Sequence, residues 1–219
     1  MNRKSEHLIK TITKIRKYPS TICRTYGAGE NTKTVNRNVQ RYNIMNIFLI
    51  GCRCSGKTKA GKSIAYILNR QFIDTDLKVV EEEGMTISEI VDKKGWDFFR
   101  EKESAALKKL CNHDKQIVAT GGGIVLNEEN RINMKKNGTI VWLKATFATV
   151  KKRMLLDSKT KDFRPSLTSK ELDEEIKETL LLRKPYYEKA MDFSIDTDNL
   201  DIDGVCKAVI TNLELQKRL

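Results

Sequence analysis

An α/β fold, a five-stranded parallel sheet with helices on both faces, is what this sequence predicts. Three observations carry that expectation. Short apolar runs suited to buried strands alternate with stretches of helical periodicity. The octapeptide Gly51-Cys52-Arg53-Cys54-Ser55-Gly56-Lys57-Thr58, of the form G-x-x-x-x-G-K-[ST], stands between the first strand and the first helix. Polar and glycine-rich residues directly follow the strands, the place where such sheets bind ligands.

The first strand is the apolar run Ile44 to Ile50, and the first helix runs from Lys57 to Arg70, with Ala60, Ile64, Ala65 and Leu68 at helical spacing. Between them the octapeptide meets the needs of a phosphate cradle. Gly51 and Gly56 let the backbone turn and approach oxygen atoms closely, and the intervening N–H groups form an anion nest at a helix N-terminus. Lys57 reaches the β- and γ-phosphates, and the Thr58 hydroxyl is a ligand for Mg²⁺. Cys52 and Cys54 read as small loop fillers, since no second ligand pair stands nearby.

Gln71 to Asp74 forms the second strand, ending in acidic residues. Asp76–Glu83 and Thr86–Lys94 read as helices, and Gly95 opens another that runs to about Cys111. Gln116–Thr120 is the third strand and leads straight into Gly121-Gly122-Gly123. Thr139–Leu143 is the fourth strand, followed by a helix through Lys151 to Leu156 and a charged loop to Leu167. Ser169–Ala190 reads as a helix, with a break expected near Pro185. Phe193–Asp196 is the fifth strand and Gly204–Leu213 the closing helix. The glycine triplet would weaken a strand as structure alone, whereas its bare N–H groups suit a closely approaching ligand.

The 219 residues suffice for one α/β domain, and no window reaches the 18 or more apolar residues of a membrane span. Five scattered cysteines (Cys23, Cys52, Cys54, Cys111, Cys206) fit a reducing cytoplasm better than a disulfide scaffold. The net charge of +12 is uneven. Residues 1–44 carry ten Lys/Arg against two Glu, a net of +8, leaving +4 for residues 45–219. That modest excess suits a binder of phosphates and carboxylates. The leading segment, 1–44, is basic and largely aperiodic. It reads as a disordered tail or an upstream extension ahead of Met45, as an organellar transit peptide, or as an arm for nucleic acid or a membrane surface; the first is preferred.

The P-loop, Asp74-Thr75-Asp76, Phe99-Arg100 with Glu103, Gly121-Gly122-Gly123, Arg164-Pro165 and Arg183 with Tyr187 occur in this order. Together, over residues 45 to about 210, they resemble shikimate kinase. The resemblance implies a P-loop kinase core, a three-layer sandwich like that of nucleoside monophosphate kinases. It also implies ATP-dependent phosphorylation of the 3-hydroxyl of shikimate, in aromatic amino-acid biosynthesis, by a cytoplasmic monomer with ATP and Mg²⁺. Lys57 would bind the transferring phosphate, and Thr58 and Asp74 would serve the metal. Asp76 would grip the substrate hydroxyls and accept the proton. Arg100 and Arg183 would clamp the carboxylate beside Gly121, Gly122 and Gly123. Arg164, in a lid at about 157–167, would close over the phosphates, and Arg153, or equally Lys152, would cover the adenine.

Elementary chemistry agrees with these roles. Phosphoryl transfer is chiefly positioning and neutralisation of spreading charge, and a carboxylate is best held by planar guanidinium forks. Glu103, three residues after Arg100, can orient that guanidinium. With only His7 and His113 present, imidazole catalysis gives way to a carboxylate base.

Other readings stand beside these. Asp76 alone reads equally as a helix N-cap, and Arg100 and Arg183 as solvated helix faces. Trp96, Phe98, Phe99 and Trp142 read as core. Another small-molecule or nucleotide kinase, or an idle relative that binds a partner through residues 1–44, are the rival functions. Three departures from the family pattern stand out: the lid reads Arg164-Pro165-Ser166-Leu167, the front extension has no counterpart, and Met191 replaces a small residue before Asp192. That methionine is expected to loosen the packing beneath Arg183.

Overall fold

The computed structural model describes residues 45–157 and 171–215. Residues 1–44, most of the expected lid and Arg164 lie outside them. Five parallel strands form one sheet: β1 (Asn46–Ile50), β2 (Gln71–Asp74), β3 (Gln116–Ala119), β4 (Gly138–Lys144) and β5 (Phe193–Asp196), in the order β2-β3-β1-β4-β5. The helices are α1 (Lys57–Ile67), α2 (Thr75–Glu83), α3 (Ile87–Leu110), α4 (Glu128–Asn137), α5 (Phe147–Leu156), α6 (Leu172–Ala190) and α7 (Ile202–Leu215).

The central strand β1 is buried along its whole length, as a strand covered on both faces must be. Phe48 and Ile50 point into a cluster with Leu107, Ile124, Met134, Trp142 and Tyr187, beneath α3, α4 and α6. On the opposite face α1 lies so close that a Cβ on Gly61 would meet the Leu49 side chain at 3.2 Å. Helix α7 packs on α1, with the Cys206 Sγ 3.8 Å from the Ala60 carbonyl oxygen. Register sets the ligand-facing end: Ile50 pairs with Trp142 and Asp74 with Ala119, so the first two strands end level with the start of the glycine triplet.

The five expected strands appear, with the second and fifth at the expected bounds. The two helices expected on either side of Gly95 form one run, α3, in which Gly95 adopts φ 83° and ψ 169° and so makes a joint. Its start is a capping box: the Thr86 hydroxyl accepts from the Glu89 N–H at 3.2 Å while the Glu89 carboxylate accepts from the Thr86 N–H at 2.9 Å.

Two expectations are corrected. Helix α4 and a short 3₁₀ turn at Ile124–Leu126 occupy a stretch for which the sequence predicts neither helix nor strand. Asn127 caps α4, its side chain accepting from the Asn130 N–H at 3.2 Å. The break expected near Pro185 is absent, for α6 passes through it. The proline deprives only the Leu181 carbonyl of its helical partner, at a residue that is 78% exposed. No helix of the described residues is long and apolar enough to cross a membrane.

Candidate active site

The loop after β1 has the backbone its glycines require. Gly51 and Gly56 take φ 143° and 101°, and a Cβ on Gly51 would lie 2.5 Å from the Leu143 carbonyl oxygen. The Lys57 ammonium folds over the loop and donates to the carbonyls of Gly51 at 2.8 Å and Cys52 at 2.7 Å. Cys52 packs beside Val150 and Ile176, and burial pushes its thiol pKa up. It acts as a filler, as its place in the motif suggested. Arg153, rather than the exposed Lys152, is held against this loop. It donates to the Cys54 carbonyl at 3.4 Å and, from its other terminal nitrogen, to the Thr197 carbonyl at 2.7 Å.

Asp74 ends β2 with both carboxylate oxygens engaged. Oδ2 accepts from the Thr58 hydroxyl at 2.9 Å, while Oδ1 accepts from the N–H groups of Asp76 at 3.1 Å and Leu77 at 3.4 Å. Asp74 therefore caps α2. The capping role weighed for Asp76 belongs to its neighbour, and the Asp76 carboxylate turns instead toward the glycine triplet. Thr58 and Asp74 make a hard, oxygen-only pair beside the phosphate loop. Such a pair suits Mg²⁺, which takes few protein ligands and completes its shell with phosphates and water. Among the described residues no group of three His, Cys, Asp or Glu gathers as a metal centre, and Mg²⁺ with a nucleotide needs none.

The triplet is the floor on which the other residues meet. The Gly121 N–H donates to the Thr75 hydroxyl at 2.9 Å, and the Gly122 carbonyl accepts from the Tyr187 hydroxyl at 2.6 Å. A Cβ on Gly121 would collide with the Glu103 carboxylate and stand 2.7 Å from Asp76 Oδ1. A Cβ on Gly123 would strike the Arg100 guanidinium, with Cζ 2.5 Å away. A Cβ on Gly122 would sit 3.2 Å from Arg183 Nη1 and 3.3 Å from the Gly51 carbonyl oxygen. Each glycine thus makes room for a charged group or for the phosphate loop.

Arg183 is buried, 7% exposed, so it is no solvated helix face. Arg100 is partly buried, its Cζ 5.3 Å from the Phe99 ring centre and 5.4 Å from that of Trp96. Its Nη1 donates to Glu103 Oε2 at 2.6 Å. Glu103 is fully buried, and its pKa is raised to about 7: burial is the main cause, Asp76 adds to it, and Arg100 and Arg183 oppose it.

Met191 does not loosen the floor. It packs against the cluster containing Trp142 and Tyr187, whose rings stack with centres 5.3 Å apart. The neighbouring Asp192 accepts from the Ile140 N–H at 2.7 Å, stitching α6 to β4.

Along one end of the sheet stand Lys57, Thr58, Asp74, Asp76, Arg100, Gly121, Gly122, Gly123, Arg153 and Arg183, with the loop residues Cys52, Arg53, Cys54 and Ser55. The family model for shikimate kinase matches residues 53–214. This chain belongs to the shikimate kinase family. It is 41% identical over 165 residues to the shikimate kinase of Caldanaerobacter subterraneus, covering 75% of this chain and 94% of the relative. Over 150 residues it is 41% identical to shikimate kinase 2 of Yersinia pestis, covering 68% and 85%. A shikimate kinase from Acinetobacter baumannii, solved in complex with shikimate, superposes with a TM-score of 0.75 at 26% identity, covering 83% of this chain and 99% of that one.

Two residues of this family member's site carry roles that sequence reasoning did not assign. Thr75, between the two aspartates, orients Gly121, and Tyr187, quoted with Arg183, holds Gly122. Threonine and tyrosine hydroxyls that meet a backbone carbonyl or N–H far along the chain leave no local pattern to read. Tyr187→Phe should leave the Gly122 carbonyl without its donor and cost about 1–3 kcal/mol of stability. Chemical denaturation of both proteins measures this, and an unchanged midpoint would contradict it.

Proposed function

We propose that this chain catalyses the ATP-dependent phosphorylation of the 3-hydroxyl of shikimate, with residues 45–219 as the catalytic domain and 1–44 as a leading extension. The observation that supports this most directly is the position of Gly122, within 3.3 Å of both the phosphate loop and the Arg183 guanidinium when judged from a Cβ built on it. An acid held by Arg183 and Arg100 would thus lie beside the nucleotide phosphates, as direct transfer demands.

In this reading Lys57 neutralises charge on the transferring phosphoryl group. Asp76 orients the acceptor hydroxyl and takes its proton. The two arginines clamp the carboxylate, and Gly121, Gly122 and Gly123 offer backbone contacts. Arg153 lies on the adenine side, and Arg164 closes over the phosphates. Thr58 and Asp74 would hold Mg²⁺, whose charge would offset that of the nucleotide phosphates. The protein acts as a monomer, without nucleic acid or membrane. The odd number and scattered placement of the five cysteines support a cytoplasmic setting.

Coupled ADP release measures the activity. ADP formation with MgATP should depend on shikimate, and not on gluconate or nucleoside monophosphates. Turnover no higher than the ATPase background would reject the reading.

A further inference from the structure

Glu103, so far only the group that orients Arg100, stands at the centre of a charge cluster. It projects from α3, is 0% exposed, and its Oε2 is taken by Arg100 at 2.6 Å. Its Oε1 has no hydrogen-bond partner among the described residues and faces the space beside Gly121 that Asp76 Oδ1 also approaches. The charged groups around it are Asp76 from α2, Arg100 from α3 and Arg183 from α6. With Glu103 ionised, two carboxylates meet two guanidinium groups and the cluster is neutral.

An organic acid gripped by Arg100 and Arg183 adds a third negative charge and displaces water. The guanidinium groups cannot respond, for arginine stays charged. Protonating Glu103 restores neutrality, and its new O–H can then donate toward Asp76.

We propose that Glu103 takes up one proton from solvent when the acid acceptor binds, and so acts as the positioning residue that lets Arg100 turn from its internal partner to the substrate carboxylate. This rests on the reading of the pocket as an acid-binding site. Because Glu103 already titrates near neutrality, uptake is greatest just above its free-protein pKa of about 7. There, affinity for the acid should fall with rising pH by up to about tenfold per pH unit.

Calorimetric titration of the full chain with shikimate, in two buffers of different ionisation heat, counts the protons. Wild type should approach one proton taken up above neutral pH. Glu103→Gln should take up none and bind with little pH dependence, and Asp76→Asn, whose cluster is already neutral with the acid bound and Glu103 ionised, should take up less than wild type. Infrared difference spectra with isotope-labelled glutamate make the same test without a substitution, since the protonated carboxyl band that appears on binding should shift with the label. Binding without proton uptake, uptake kept in Glu103→Gln, or a carboxyl band that ignores the glutamate label would overturn the proposal alone. No binding at all would overturn the acceptor reading with it.

Discussion

Lys57→Ala is expected to lower turnover by about 10³-fold or more, the scale set by groups that stabilise charge in phosphoryl transfer. That factor corresponds to roughly 4 kcal/mol of transition-state stabilisation. The ammonium stands ready for it: two loop carbonyls hold Nζ at 2.7 and 2.8 Å, and the residue is only 9% exposed. A cation fixed in place before the nucleotide arrives needs little reorganisation when charge spreads over the transferring oxygens. The loop backbone, shaped by Gly51 and Gly56, remains in the variant, so nucleotide binding should suffer less than kcat. Steady-state kinetics with an independent measure of nucleotide affinity separates the two. Near-wild-type turnover would remove Lys57 from the reaction.

Gly121→Ala should reduce kcat/KM for the acceptor by about 10²-fold, the scale on which small misplacements of reacting groups act. The backbone is not the obstacle, because Gly121 is not among the glycines with positive φ. Space is. The new methyl would occupy the position of the Glu103 carboxylate and crowd Asp76. Glu103 would be driven off Arg100, and Asp76 would lose its aim at the acceptor hydroxyl. Overpacking of this kind also costs about 1–3 kcal/mol in stability. Thermal melts and kinetics on the same preparation test both effects, and a variant with unaltered kcat and KM would show that the clearance has no role.

Much of this arrangement could be read from the chain. Buried parallel strands announce themselves as short apolar runs, and Gly51 to Thr58 encodes its own backbone geometry. Helix α4 escaped because Glu128–Asn137 offers only Ile132 and Met134 as apolar residues, too few for a helical stripe, and its start depends on an Asn127 cap. Pro185 misled for the converse reason, since a local rule gave way to solvent at Leu181. In the site, Arg100, Arg183 and the glycines were legible from their order. The meeting of Glu103 with Asp76 was not. They lie on different helices and converge only because a third element, at Gly121, carries no side chain.

Asp74 gives one carboxylate to two halves of the molecule. One oxygen serves the hydroxyl on the nucleotide-binding helix, and the other anchors the first turn of the helix that bears Asp76. A cation that claims the first oxygen must pull on the second, and a shift of fractions of an ångström would be passed to the acceptor side. On the proposed roles, arrival of the phosphate donor would be felt at Asp76 through a single side chain.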